Sequence, residues 1–357
     1  MAGDLQLAAE DHATSPDRML KGIDTLRFIT ALWVAFSHGA RFPVAGLVDP
    51  DTTTGKVALL LGNTTFNGTA AVTIFFVISG LCIHRANLGR TRIDYAPFVT
   101  RRLVRIGVPL LFVLLLARAC GPAYVRALDD VLWSVYCELV YYLLYPLFFP
   151  LIRLVGAVRV MLGALTVSFL LLMTSPASIY LWEFGTRLSW LFNAPLWLAG
   201  VVLAEKLGAI QQRVERINVW AFRVGALLVC YAATILATHA GRLAIGYTWT
   251  MPLFAIFCLF WIAREAQHAA EVGPVPLLER LGVAGYSIYL VHKFPITAFA
   301  PFAASVPPLL WWAAQLLAIG LATFLLYRLI EWPAHRVSRV LAGRIASRPG
   351  MLPRRTA

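Results

Sequence analysis

Four ionisable residues lie inside long apolar stretches of this sequence, where a charge is costly. They are His38, Glu138, His292 and Lys293. Ionisable groups in segments that cross a membrane usually carry out a function or are paired with a partner. The imidazole of His38 has the acid–base range to take a proton from a hydroxyl group, and Glu138 or His292 could assist it. The alternative is that these side chains form hydrogen bonds between packed helices, with Lys293 extending to the membrane surface.

Three arginines have a spacing that suits an anionic ligand. Arg27 precedes His38 by eleven positions, which on a helix is about 16 Å and close to three turns, so both share one face. Arg102 and Arg105 are three positions apart and also share a face on a helix. Guanidinium groups bind phosphates well. The pattern favours a long cofactor with phosphates near Arg27 and its reactive end near His38; the alternative is that the arginines anchor helix ends at the membrane surface.

The elements that must hold these residues are predicted from composition and hydropathy. The chain has 357 residues, of which 59% are hydrophobic and 14% charged, and its mean hydropathy is +0.72. An ordinary soluble domain is about 45–50% apolar and about 25% charged, so a soluble fold is excluded. A membrane-spanning helix needs about 20 mostly apolar residues. The sequence therefore predicts an all-α integral membrane protein, a bundle of about ten transmembrane helices.

Breaks at glycine, proline and charged residues set the limits of the ten spans. The predicted spans are about 23–42, 69–86, 106–121, 131–151, 157–174, 188–204, 219–238, 248–264, 281–301 and 309–330. An even number of spans places both termini on the same side of the membrane. The longest connections between spans are the segments 43–68 and 87–105.

The distribution of basic residues predicts which side holds the termini. The net charge is +13, and most lysines and arginines fall on one side if both termini are cytoplasmic, as the positive-inside rule requires. Topology thus explains the charge, and no nucleic-acid partner is expected, although anionic lipids or a phosphorylated substrate could also contribute. The predicted organisation is a cytoplasmic tail at 1–21, a membrane domain at 22–333 and a basic cytoplasmic tail at 334–357.

Seven segments, in order along the chain, resemble the signatures of the acyltransferase-3 family. Each segment is weak evidence by itself, but their common order and spacing are specific. The segments are Gly22–Phe28 at the first span, the Arg-x10-His pair Arg27 and His38, Phe75–Gly80, the RxxR motif Arg102–Arg105, Trp133–Glu138 with Tyr141–Pro146, Tyr286–His292 and Glu331–Pro333.

The resemblance implies an enzyme that passes an acyl group, usually acetyl, from cytoplasmic acyl-CoA to a hydroxyl group at the membrane. It implies that His38 is the catalytic base or a residue that handles the acyl group, supported by Glu138 and His292. It also implies that the cofactor-binding arginines, at positions 27, 102 and 105, contact the CoA.

The partners expected from the resemblance are acyl-CoA, the lipid bilayer and a carbohydrate acceptor. The acceptor would be an exopolysaccharide, a surface polysaccharide or a lipid-linked glycan, and the location a bacterial inner membrane. Acetyl-CoA or another acyl-CoA would act as donor substrate, with no permanently bound cofactor. The five cysteines lack a metal-binding spacing, so no metal site is expected. No fused SGNH-type hydrolase domain is expected either.

A transporter or flippase is the competing interpretation. Intramembrane glutamate and histidine side chains can relay protons in such proteins. Transporters often contain paired, interrupted helices from repeated halves, and the sequence gives no sign of such a pairing. Consumption of acyl-CoA would separate the two classes.

Overall fold

The computed structural model describes residues 20–238 and 245–347, and in these residues the fold is helical. Short irregular connections and single helical turns join the helices. The helices are α1 Ile23–Ala35, α2 Thr53–Thr64, α3 Gly68–Arg85, α4 Tyr95–Cys120, α5 Pro122–Val155, α6 Ala157–Thr174, α7 Gly185–Val214, α8 Val219–Thr238, α9 Tyr247–Val272, α10 Pro276–Gly282, α11 Gly285–Val291, α12 Lys293–Phe299, α13 Pro308–Leu326 and α14 Trp332–Ala346.

Eight helices in the described part of the chain are long and apolar enough to cross a membrane. They contain α3 to α9 and α13, and they match eight of the ten predicted spans. The prediction of an all-α integral membrane protein is therefore confirmed. The first and ninth predicted spans are also helical, but each is interrupted, and each interruption falls beside a histidine.

The first predicted span ends in a distorted turn. After Ala35 the helix widens into a π-helical turn, Phe36–Ala40, that contains His38. Gly39 has a φ of +121°, which a residue with a Cβ adopts only at a cost. Single π-turns are often found at functional sites, because they change the direction in which one side chain points.

The ninth predicted span is divided into α10, α11 and α12. Proline lacks a backbone N–H, and its ring clashes with the carbonyl group four residues earlier. Pro295 therefore prevents a regular helix from continuing through Val291, and α11 ends there, directly before His292. Pro295 is therefore the sequence feature that accounts for the break between α11 and α12.

The two interrupted spans lie side by side. The backbone nitrogen and the hydroxyl group of Thr25 both donate to Glu279 Oε1, at 3.1 and 2.8 Å. The helices approach so closely that a Cβ on Gly282 would lie 1.9 Å from the carbonyl oxygen of Asp24. This contact aligns α1 with α10 and α11. As a result, His38 and His292 lie next to each other.

Helices α3 and α7 also pack closely against each other. A Cβ on Gly80 would lie 2.0 Å from the carbonyl oxygen of Trp197, and one on Gly200 would lie 2.0 Å from that of Val77. Small residues allow such close approach of helices in membranes. This close packing fixes the position of α3, which lines the cavity described below.

We expect Gly80→Ala to destabilise the folded protein, because the added methyl group meets backbone that cannot move without separating α3 from α7. Overpacking of this kind costs about 1–3 kcal/mol. The measurement is the thermal midpoint of unfolding in detergent. Gly163→Ala is the matched control, since Gly163 is also helical and its Cβ would meet nothing within 4 Å. An unchanged midpoint for Gly80→Ala would contradict the packing.

Helix α14 lies along α4 after a second π-helical turn, Tyr327–Glu331. Its buried face consists of small residues, Ala334, Ser338 and Ala342, which allows close contact. The sequence assigns 334–357 to a cytoplasmic tail, and the described part of that segment is this helix. The limits predicted for the membrane domain and for the two tails stay predictions.

Candidate active site

A cavity of about 620 Å³ opens at one end of the bundle. Residues of α1, α3, α4, α5, α11 and α14 line it. Its volume falls within the range of about 300–1,000 Å³ that is usual for ligand pockets. The exposed residues Arg90 and Arg101 lie in its wall, so the cavity is open to the surroundings there.

The wall of this cavity is strongly basic. In the part of the chain that the structure describes, seven arginines line it against four carboxylates. The arginines are at positions 27, 85, 90, 101, 102, 105 and 339, and the carboxylates are Asp24, Asp94, Glu138 and Glu331. An excess of guanidinium groups in a partly enclosed space attracts anions and phosphates in particular.

The three arginines predicted to bind the cofactor all line the cavity. Arg27 is held in place by Asp24, at 2.6 Å, and by the sulfur of Cys82, at 3.2 Å. The guanidinium carbon of Arg102 lies 5.7 Å from the ring centres of both Phe98 and Tyr142. Its Nε has no hydrogen-bond partner among the described residues. A buried N–H without a partner costs free energy.

Glu138 also lines the cavity, at the centre of a polar network. Ser79 donates to its Oε1 at 2.6 Å, and the hydroxyl group of Tyr142 donates to the same oxygen. The indole of Trp197 donates to Ser79 at 3.2 Å. These contacts join α3, α5 and α7 and hold the carboxylate in one position.

His38 and His292 contact each other through their ring nitrogens. The distance from His292 Nε2 to His38 Nδ1 is 3.2 Å, and the rings are stacked, with centres 5.3 Å apart. His292 is fully buried, whereas His38 is half-buried. The chain thus brings together two residues that are separated by 254 positions.

The hydrogen bonds of His292 determine where the protons of this pair lie. Its Nδ1 is 2.8 Å from the carbonyl oxygen of Tyr289 and 3.2 Å from that of Ile288. Carbonyl oxygens only accept, so in a neutral ring Nδ1 carries the proton and Nε2 is an acceptor. His38 Nδ1 must then donate to it, which leaves the lone pair of His38 on Nε2. A neutral imidazole oriented in this way is a general base.

Tyr289 separates the cavity from the histidine pair. It lines the cavity, and its ring centre lies 6.1 Å from that of His292 and 6.0 Å from that of Phe75. Its hydroxyl group donates to the carbonyl oxygen of Val131 at 2.6 Å. Neither histidine is among the described residues that line the cavity.

The contacts of the predicted site residues therefore form two groups. Glu138 shares the cavity wall with the three arginines, while His38 and His292 contact each other beyond Tyr289. The sequence suggests that Glu138 could assist the imidazole of His38, and the hydrogen bonds of Glu138 go instead to Ser79 and Tyr142. Glu138 therefore lies in the cavity wall and not in contact with the histidine pair.

Lys293 forms an ion pair with Asp130 at 3.7 Å. The side chain of Asp130 is 70% exposed, whereas that of Lys293 is 13% exposed. The ammonium group is therefore largely enclosed and reaches an exposed carboxylate, and its extension to the membrane surface stays a prediction. Its positive charge still lies beside the histidine pair.

Several residues of the site were not assigned a role from the sequence. They are Ser79, Tyr142, Trp197 and Tyr289, which hold Glu138 or separate the two groups. Apart from Trp197, each lies in a segment that resembles a family signature, and this was the available signal. The signature does not say which residues touch, because those contacts join distant parts of the chain.

Among protein families, the chain matches the acyltransferase-3 model, which is described as an acyltransferase domain. It covers residues 20–328, and so includes every residue of the two groups. Neither the curated proteins nor the solved structures contain a significant match to the chain.

Proposed function

Because the chain belongs to the acyltransferase-3 family and is therefore a membrane acyltransferase, we propose that it moves an acetyl group from acetyl-CoA to a sugar hydroxyl group. The acceptor is an exopolysaccharide, a surface polysaccharide or a lipid-linked glycan. The observation that carries the proposal is the histidine pair, because its hydrogen bonds leave His38 Nε2 as a base.

The basic cavity supports a donor that carries phosphates. CoA has a negatively charged pyrophosphate between a flexible pantetheine arm and an adenosine. Arg27, Arg102 and Arg105 can hold the pyrophosphate, because all three guanidinium-bearing residues line the cavity and guanidinium groups bind phosphates well. The pantetheine then extends past aromatic side chains such as Phe76 towards the inner end.

Glu138 and Tyr289 define where the acyl end of the donor stops. Both line the inner part of the cavity, and Tyr289 packs against His292. The thioester would lie beside Glu138, with the ring of Tyr289 between it and the histidine pair. Reaction requires Tyr289 or Phe75 to move aside, so that the thioester carbonyl reaches the acceptor.

In the proposed reaction His38 Nε2 takes the proton from the acceptor hydroxyl group. The oxygen attacks the thioester carbonyl carbon, the new ester bond forms and the carbon–sulfur bond breaks. CoA leaves as a thiolate, which takes up the proton. His292 accepts a hydrogen bond from His38 Nδ1 and so keeps the ring in the orientation and tautomer that this reaction needs.

The position of the two groups favours donor and acceptor sites on opposite sides of a membrane. The positive-inside distribution of basic residues supports cytoplasmic termini, and Arg27 and α14, which follow the first described residues and precede the last, share the wall of the basic cavity. CoA is a cytoplasmic metabolite, so the basic cavity faces the donor. His38 then faces the other side, where the glycans of a bacterial inner membrane are found.

We expect purified protein in lipid vesicles to move label from acetyl-CoA, labelled in the acetyl group, to deacetylated surface glycans. The product is an ester, so mild alkali should release the label as acetate. Heat-denatured protein is the control for chemical transfer. Transport of glycan or protons across the vesicle membrane without use of acetyl-CoA would contradict the proposal and favour a transporter.

A further inference from the structure

Three arginines meet where the basic cavity reaches the surface of the protein. They are Arg90, in the connection between α3 and α4, Arg101 on α4 and Arg339 on α14, and together they are called the mouth cluster. All three line the cavity. Arg101 interacts electrostatically with both of the others and with Arg105.

The protein holds these like charges together by backbone contacts. Arg153 donates a hydrogen bond to the carbonyl oxygen of Arg90, which fixes the connection that carries it. Helix α14 packs along α4 through Ala334, Ser338 and Ala342, which places Arg339 opposite Arg101. Like charges at close range repel one another, so a rigid cluster of this kind favours an anion with more than one negative charge.

The mouth cluster is distinct from the inner arginines. Arg90 and Arg101 are exposed, whereas Arg339 and the inner arginines, at positions 27, 102 and 105, are half-buried. Arg102 connects to Glu138, since it packs on Tyr142, which donates to that carboxylate. The cavity therefore offers two binding places for phosphate, one deep and one at the mouth.

We propose that the mouth cluster binds the 3′-phosphate of the CoA adenosine and thereby selects the full CoA over donors that lack this group. The inference rests on the proposed function, because it takes acyl-CoA as the donor. CoA is a linear molecule in which the pyrophosphate lies between the thioester arm and the 3′-phosphoadenosine. With the thioester at Glu138 and the pyrophosphate at the inner arginines, the 3′-phosphate lies at the mouth.

The cavity wall beside the mouth suits the adenine ring. Ile93, Pro97 and Phe98 line the same side of the cavity as Arg101, and they form an apolar surface that an aromatic base can cover. Phe98 also packs against Arg102, so the surface connects the two phosphate places. Helix α14 thus forms part of the wall of the donor site and contributes the positive charge of Arg339.

The test compares acetyl-CoA with acetyl-3′-dephospho-CoA as donors in the labelled transfer assay. For the wild type we expect KM to be about tenfold lower for acetyl-CoA, since the dephospho donor loses its charge-assisted hydrogen bonds to the mouth cluster. Arg339→Gln and Arg101→Gln should raise KM for acetyl-CoA and leave that for the dephospho donor nearly unchanged. Arg344→Gln is the matched control, because Arg344 lies on the same helix, is exposed and is not part of the cavity wall.

Each outcome decides the proposal. Loss of the donor preference in the two variants, with the preference kept in Arg344→Gln, supports it. Equal use of both donors by the wild type overturns this inference and leaves the proposed function intact. The same holds if the KM of the variants rises equally for both donors. Failure of the wild type to use either donor overturns the proposed function and this inference together. If Arg339→Gln does not fold, Arg101→Gln on the exposed face of α4 gives the answer.

Discussion

Replacement of His38 by alanine is expected to lower kcat for acetyl transfer by about 10²–10⁴-fold, the usual contribution of a general base. The KM for acetyl-CoA should change little, because His38 lies beyond Tyr289 and outside the donor cavity. The measurement is steady-state transfer of labelled acetyl groups at matched protein abundance in membranes.

The control for this variant is His268→Ala. His268 lies on α9 and is not part of the cavity wall or of the histidine pair. It should keep the wild-type rate. A His38→Ala rate within a few-fold of the wild type would remove His38 from the reaction and direct attention to Glu138 as the base.

Replacement of Arg102 by glutamine is expected to have the second-largest effect, an increase in KM for acetyl-CoA of about tenfold or more with a smaller change in kcat. The guanidinium group packs against the rings of Phe98 and Tyr142, which holds it at the cavity wall. A charge-assisted bond to phosphate is worth about 1.5–3 kcal/mol. Glutamine keeps much of the volume but removes the charge.

The initial rate as a function of acetyl-CoA concentration separates the two parameters. Arg159→Gln is the matched control, because this exposed arginine donates to the carbonyl oxygen of Val155 and lies outside the cavity. A fall in kcat with an unchanged KM would show that Arg102 supports Glu138 through Tyr142 rather than binding the donor.

Much of the fold follows from hydropathy. Long apolar runs bounded by glycine, proline and charged residues correctly predict the eight continuous spans. A chain segment in a bilayer must pair its own backbone N–H and C=O groups, and a helix does this within one segment. The interruptions in the first and ninth spans were not predicted. Gly39 and Pro295 are their physical cause, but a single glycine or proline in an apolar run does not reveal whether the helix bends, widens or stops.

The site residues were found as individual positions, and their arrangement was not. Charged groups in apolar runs identified His38, Glu138 and His292. Their partners depend on how the helices pack, and the residues involved are separated by 59 positions for Ser79 and Glu138. The sequence therefore left open which partner each residue has, and it did not reveal that His38 and Glu138 lie on two sides of Tyr289.

The donor cavity also depends on a segment that sequence analysis assigned to a tail. Helix α14 contributes Arg339 and His335 to the cavity wall. Its polar, basic composition indicates a surface segment, and the sequence gives no sign of its packing against α4. The small residues at 334, 338 and 342 are the physical reason for the contact, since their i, i+4 spacing forms one flat face.

The most direct test of this division between donor cavity and histidine pair is calorimetric titration of acetyl-CoA into the purified protein and its variants, without acceptor. The account predicts that His38→Ala binds acetyl-CoA as tightly as the wild type although it does not transfer the acetyl group. It predicts that Arg102→Gln binds at least about tenfold more weakly. Loss of binding in His38→Ala, or unchanged binding in Arg102→Gln, would contradict it.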